Sequence, residues 1–440
     1  MTEIPAAAAH RDERRDLAGW LVLAGLGVLV TWLAVRGGAR LGTAGAPFLG
    51  TYRLEIGPAT LLAPLVAVAV VWATVRGWWE RISWPAVLVT SAVAGLAWAL
   101  SLTAVDGRVG FTRGLTDADH RLVDVTRVGD SPWEYLRSFT DHVAAQSPQT
   151  RGHPPGPVLA LWALERAGLT DPFVIGLLVT TVGALTVPLV LSAVRGVCGD
   201  LEARRFLPVL VLAPYAVWLA AGTEALVATL AAAMVAAGVR ASDDRRTGVR
   251  AAGWATVTGL LLGIAALFSY GVPWLGLSVA CLYFARRRAA LNLFTGAAAL
   301  IPLVTAQAMG FPWVDGLMAA RADFGLRIEP HRSALWWSGI SLVVLLLAAG
   351  PPLYASLRKA GNTPGWPFLV GAGAAVIFTV LAGLARGGVE TAWLTFFPWL
   401  TVAAVAPRRQ GGPPIPSPLL LVGAGAVVAI VIASVLVPVR

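Results

Sequence analysis

The stretch Pro172–Val194, PFVIGLLVTTVGALTVPLVLSAV, carries no charged side chain and stops at Arg195. A helix rises about 1.5 Å per residue, so a run of this length crosses the roughly 30 Å hydrocarbon core of a bilayer. Similar apolar runs recur on both sides of it. The chain as a whole has 440 residues, 57% of them hydrophobic and only 13% charged. Hydrocarbon offers no partner to an open backbone, so a crossing segment must close its own hydrogen bonds as a helix, and a barrel would show alternation instead. The expectation is an all-α fold: a polytopic transmembrane helix bundle.

Toward the N-terminus, residues 1–17 form a charged tail. Arg11, Arg14 and Arg15 sit just before the first apolar run and predict a cytoplasmic N-terminus. Spans are expected at about Ala18–Val35, Pro58–Thr74 and Trp84–Val105, with an outer loop carrying Arg36, Arg40, Arg53 and Glu55. Toward the C-terminus, spans are expected at about Phe206–Leu219, Thr223–Val239, Ala251–Phe268, Val272–Phe284, Leu291–Met309, Leu335–Ala355, Phe368–Ala385, Thr391–Val405 and Leu419–Val437. Inner ends are marked by Arg240, Arg245 and Arg246, by Arg286–Arg288, by Arg358 and Lys359, and by Arg408 and Arg409. The sum is about thirteen spans in one transmembrane domain, residues 18–440, in a multi-pass protein of the cell membrane. The net charge of +10 lies mostly between apolar runs. Topology and contact with membrane lipids account for it, and no nucleic-acid partner is expected. Two cysteines give neither a disulfide framework nor a metal pattern. No metal-ligand spacing and no Gly-rich nucleotide loop is visible, so no metal-ligating residue and no cofactor is expected.

One long segment breaks the apolar pattern. Residues 106–156 hold Asp106, Asp117, Asp119, Asp124, Asp130, Glu134 and Asp141, with His120, His142 and His153. Charge counting puts this segment outside. Trp133, Leu136 and Phe139 have helical spacing, which predicts short amphipathic helices along the outer face. Pro157–Leu169 is apolar but too short to cross. Three further polar groups fall on the same expected side: Tyr270 in its turn, the Asp315–Arg332 loop with Arg327, and Arg386 with Glu390. Arginine grips phosphate through a planar fork, and a carboxylate can take a proton from a hydroxyl. If these groups converge, they suit a reaction on an anionic lipid.

His153-Pro154-Pro155-Gly156 is followed by Leu159, Leu161, Trp162, Leu164, Gly168 and Leu169, and then by the Pro172 span. From about Trp84 to Arg195 this order resembles the polytopic glycosyltransferases of the GT-C superfamily, particularly the protein mannosyltransferase and aminoarabinose transferase branch. The resemblance implies a GT-C-like bundle and a transferase that moves a sugar from a polyprenyl-phosphate donor to a cell-envelope acceptor at the outer face. A phosphate leaving group needs no protonation, so one carboxylate base can suffice. By position in the family pattern Asp106 is the first candidate for that base, with Asp117 and Asp119 next. His153, His120, Tyr270, Arg327, Arg386 and Glu390 are the candidates for holding substrate.

Each of these residues also has a plainer reading. Asp106 before Gly107 makes a helix stop. Pro154 and Pro155 suit the first turn of a short helix. His120 and His142 read as solvated groups, Tyr270 as an interfacial anchor, and Arg386 with Glu390 as an ion pair. A transporter or lipid flippase, or a non-enzymatic scaffold, would share the same composition.

Overall fold

The computed structural model describes residues 6–117, 121–220, 222–406 and 416–438. Among the described residues, seven helices are long and apolar enough to cross a membrane: Arg11–Arg36, Pro58–Val75, Trp84–Gly110, Pro172–Cys198, Glu224–Ala241, Gly248–Ala266 and Leu291–Ala308. An eighth crossing is available if Ala334–Ala349 and Pro351–Asn362 act together, although the pair is bent by 102°. Pro351 and Pro352 account for the bend, because neither has an N–H to continue the first helix. Three apolar helices are shorter: Pro273–Ala285, Trp366–Leu381 and Leu419–Val435.

The count falls short of thirteen, and two expected spans show why. The run from Phe206 leaves its helix after Val211, meets Pro214 and passes into a tight turn over Pro214–Trp218. The run from Thr391 becomes short pieces, including Val389–Ala392 and Phe397–Leu400. Every residue of Phe206–Ala220 and of Trp393–Ala406 is buried. These stretches are apolar because protein surrounds them. By contrast, 17% of the apolar window in Pro58–Val75 is buried, against 78% in Glu224–Ala241.

Helices that share a lipid-like surround pack through small residues that let backbones approach. Gly248–Ala266 lies along Leu291–Ala308 in this way. A Cβ on Gly259 would sit 2.1 Å from the Thr295 carbonyl oxygen, and one on Gly263 would sit 2.3 Å from that of Ala299. The Thr295 hydroxyl donates to the Ala255 carbonyl oxygen across the same seam at 3.0 Å.

The polar connections sort to two ends of the bundle. At the long-loop end lie residues 37–57, the 106–156 segment, the 310–333 connection, the 383–392 turn and the end of the last helix. Here β1 (Gly50–Tyr52) pairs antiparallel with β2 (Leu436–Pro438), Thr51 facing Val437. The Trp337 indole N–H donates to the Leu41 carbonyl oxygen at 3.0 Å, and Arg40 reaches the Pro330 carbonyl oxygen. At the opposite, short-loop end, Arg205 meets Glu80 at 2.9 Å and Arg358 meets the buried Asp16 at 2.6 Å. Among the described residues, the loops expected outside are thus gathered at one end and those expected inside at the other; Arg408 and Arg409 lie outside the described residues.

Candidate functional site

The long-loop end encloses a cavity of about 760 Å³. Its wall comes from chain segments far apart in sequence: Thr43 and Leu49–Thr51, Arg113 and Asp117, Gln149 and His153, Phe324, Ile328 and Arg332, and Arg386–Gly388. A second, apolar cavity of about 350 Å³ lies between the first helix and the start of Ala334–Ala349, lined by Leu26, Val30, Leu335, Trp336 and Ile340. Arg332 belongs to the first cavity, and Leu335 three residues later belongs to the second.

Three guanidinium groups face the larger cavity, and each is held. Arg113 pairs with Asp106 at 3.1 Å, a carboxylate only 6% exposed. Arg332 donates to the Arg386 carbonyl oxygen at 2.7 Å. Arg386 returns a bond to the Arg332 carbonyl oxygen at 2.9 Å, donates to that of Gly383 at 2.7 Å, and reaches the Glu329 carboxylate at 3.4 Å. This reciprocal clasp depends on the chain reversing at Gly387 and Gly388, which hold φ values of 97° and 75°. Those conformations suit glycine, and a Cβ on Gly387 would lie 2.7 Å from the Arg332 guanidinium.

Glu390 follows this turn and is buried at 1% exposure. Its Oε1 accepts from the Leu49 N–H at 2.8 Å, and its Oε2 has no partner among the described residues. Burial pushes its carboxyl up to about 7, against the opposing pull of backbone N–H groups and Arg332. Arg386 therefore pairs with Glu329, not with Glu390.

The polar segment folds inward around two buried carboxylates. Asp124, fully buried, accepts from the Ser147 N–H with both oxygens at 3.1 and 3.0 Å, and from Arg127 at 3.1 Å. It fastens Leu122–Val128 to the start of Pro148–Arg151. Beside it Arg121 pairs with Glu224 at 2.9 Å, with side-chain exposures of 5% and 8%, and also bonds the Thr223 hydroxyl. Glu224 opens its helix, where the positive end of the dipole favours an acid. His153 completes the group. Its Nδ1 lies 2.8 Å from the Gln149 carbonyl oxygen and so carries the proton, and its Nε2 lies 3.9 Å from Glu224. Burial and the charge of Arg121 lower its pKa against the pull of Glu224, so the neutral ring offers Nε2 as an acceptor. Gly156 closes the motif: its N–H donates to the Leu267 carbonyl oxygen at 3.1 Å, and a Cβ there would meet that oxygen at 2.3 Å.

Of the residues singled out by sequence, Asp117, His153 and Arg386 line the cavity, with Glu390 behind the wall. Asp106 does not line it but pairs with Arg113, which does; it closes a tight turn over Ala104–Asp106 within Trp84–Gly110, just before Gly107, where φ is 62°. Arg327 lies away from the cavity, bonding Asp323 at 2.8 Å and the Ala144 carbonyl oxygen at 3.2 Å. Tyr270 is also apart, packed edge-on to Trp313 with centroids 5.3 Å apart; its buried hydroxyl has no partner among the described residues, and burial raises its pKa. Asp119 and His120 lie outside the described residues.

Sequence reasoning missed Arg113, Arg332, Arg121 and Glu224. Glu224 did leave a signal, an acid opening a long apolar run, which marks a position whose partner should be sought. Among the described residues no group of three or more His, Cys, Asp and Glu side chains is placed to hold a metal ion. No protein-family model matches the chain, and no curated protein matches it.

Proposed function

We propose that this chain is an integral membrane glycosyltransferase that takes a sugar from a polyprenyl-phosphate donor at the long-loop end, on the outer membrane face. The observation that carries this reading is the polar cavity walled by Arg113, Arg332 and Arg386 beside an apolar cavity between two helices. The first chemistry suits a phosphate, and the second suits an isoprenoid chain. Arginines already fixed by carbonyl and carboxylate partners pay little reorganisation when charge grows on a departing phosphate. Asp117 is exposed in the cavity wall and is the best placed of the described candidates for base. Asp106 serves as the residue that positions Arg113. His153 Nε2 accepts from a sugar hydroxyl.

The test is transfer in membranes, with radiolabelled polyprenyl-phosphate mannose and arabinose supplied separately to wild type, Asp117→Asn and Asp106→Asn. Loss of a base costs about a hundredfold or more in rate. Loss of a positioning residue leaves a slower enzyme with a raised KM for donor. Label reaching an acceptor with wild type and not with Asp117→Asn supports the reading, whereas full activity in Asp117→Asn removes that residue as base. Absence of transfer from both donors removes them as substrates.

The 102° break between Ala334–Ala349 and Pro351–Asn362 favours a second reading, a transporter or lipid flippase, because broken helices line many transport sites. Movement of labelled lipid across proteoliposomes without sugar transfer would select it.

A further inference from the structure

The short-loop end holds its own cavity, of about 660 Å³, lined by five arginines and two aspartates. It sits among the C-terminal ends of Thr186–Cys198, Glu224–Ala241 and Pro273–Ala285, with Trp84 at its edge. The proposed transfer reaction makes no use of it.

Part of this positive charge has a structural job. Arg286 donates to the Gly196 carbonyl oxygen and to the Ser242 hydroxyl, the latter at 3.1 Å, tying two helix ends together. Arg288 donates to the Arg246 carbonyl oxygen at 2.5 Å and fastens the 242–247 loop. Between them Arg287 takes φ 56°, a left-handed conformation uncommon for a side-chain-bearing residue. The turn thus sets a firm floor. Arginines that satisfy helix carbonyls in this way need no ligand.

Only part of the remaining charge is paired. Asp243 is engaged by Arg246 at 2.9 Å and by the Arg245 N–H at 3.0 Å. Asp244, 93% exposed, reaches Arg288 only at 3.6 Å. Arg195 stacks on Trp84 with its guanidinium carbon 4.3 Å from the ring centre, and pairs with Asp200 at 2.6 Å. Arg240 packs over Trp254 at 5.1 Å. Among the described residues neither Arg240 nor Arg245 has a carboxylate partner on its side chain, and both are exposed on the cavity wall. An ordinary positive loop disperses its arginines into solvent. Here two guanidinium groups without carboxylate partners among the described residues share one concave space, and the backbone around it is pinned at Gly196, Ser242 and Arg246.

We propose that this cavity is a phosphate-binding site, with Arg240 and Arg245 as its gripping residues, and that its ligand is the phosphate of an anionic lipid headgroup or a free phosphate. Guanidinium binds phosphate with two parallel hydrogen bonds, and basic pockets between membrane helices commonly take lipid headgroups.

The experiment uses the full-length protein purified in a non-ionic detergent. Native mass spectrometry follows retention of dioleoyl phosphatidylglycerol, with dioleoyl phosphatidylcholine as the zwitterionic comparison, in wild type, in Arg240→Gln/Arg245→Gln and in Arg76→Gln/Arg81→Gln. The last pair removes equal charge from the same end but away from the cavity. Removal of two arginines that face a headgroup should weaken phosphatidylglycerol binding by about tenfold or more. The control pair should stay within about twofold of wild type. Inorganic phosphate, titrated against bound phosphatidylglycerol, identifies the source: displacement at low millimolar concentration assigns the site to free phosphate, and no displacement assigns it to the lipid. An equal fall in both variants overturns the proposal in favour of diffuse attraction. Wild type that binds neither the lipid in preference to phosphatidylcholine nor inorganic phosphate overturns it as well. Unchanged thermal melting of both variants shows that the comparison is between folded proteins.

Discussion

The two ends of the bundle carry cavities of similar size, about 760 and 660 Å³, and arginine lines both. They are built in opposite ways. At the long-loop end the wall is assembled from segments hundreds of residues apart, and its guanidinium groups are fixed by carbonyls and carboxylates. At the short-loop end most of the wall comes from adjoining helix ends and one tight loop, and two guanidinium groups are left without carboxylate partners. A site that must meet developing charge in one geometry gains from fixed donors. A site that only holds an anion can leave its donors free until the anion arrives. Under the two proposals, the contrast separates a place of chemistry from a place of binding.

The largest expected effect lies at the long-loop end. Arg121→Met leaves Glu224 buried without its cation and should cost about 3–5 kcal/mol. Thermal unfolding in detergent would show the loss, and adding Glu224→Gln should restore most of it. If Arg121→Met melts like wild type, that end is less tightly built than the contrast requires. Next is Gly387→Ala, which forces a side chain into a left-handed turn and against Arg332. About 1–3 kcal/mol should be lost, with His153 and Asp117 untouched. A melting curve beside a donor-binding assay tells whether the Arg332–Arg386 clasp forms the cavity wall.

Glu390 gives a smaller effect that depends on pH. Its folded pKa of about 7 lies above its ordinary value of 4.5, so the folded state keeps a proton that the unfolded chain has released. This contribution to stability is fully present below about 4.5 and is lost as pH rises through 7. Melting temperatures taken from pH 5 to 8 should fall in wild type and fall less steeply in Glu390→Gln. Parallel curves would mean that Glu390 is ionised throughout. The smallest effect is expected at the short-loop end: Arg195→Gln removes a half-exposed ion pair and should change stability by less than about 1 kcal/mol. A larger loss there would erase the difference between the two ends.

Much of this arrangement was legible in the chain. Uncharged runs such as Pro172–Val194 announce helices, and the arginines between runs sort the loops into two groups, whose described members lie at two ends of the bundle. Asp117, His153 and Arg386 could be picked out because polar residues are scarce in such a chain. Asp106 could be picked out by its place after the expected Trp84–Val105 span but not by its pairing, since its partner Arg113 has no special mark in the sequence. The runs from Phe206 and Thr391 misled for a physical reason. Protein on all sides demands the same apolar side chains as lipid on all sides, so composition alone cannot tell a buried turn from a crossing helix.

The sequence by itself determined that the chain is helical, that it carries long apolar segments, and which of its loops are polar. Those properties follow from local composition and from the need of each backbone segment to satisfy its own hydrogen bonds. Only the tertiary structure decided that Glu224 meets Arg121 and His153, that Glu390 meets Leu49, and that β1 meets β2 just after the last helix. Such pairings join residues separated by up to several hundred positions. Their strength comes from removing both partners from water together, and no local pattern records which partner a buried charge will find.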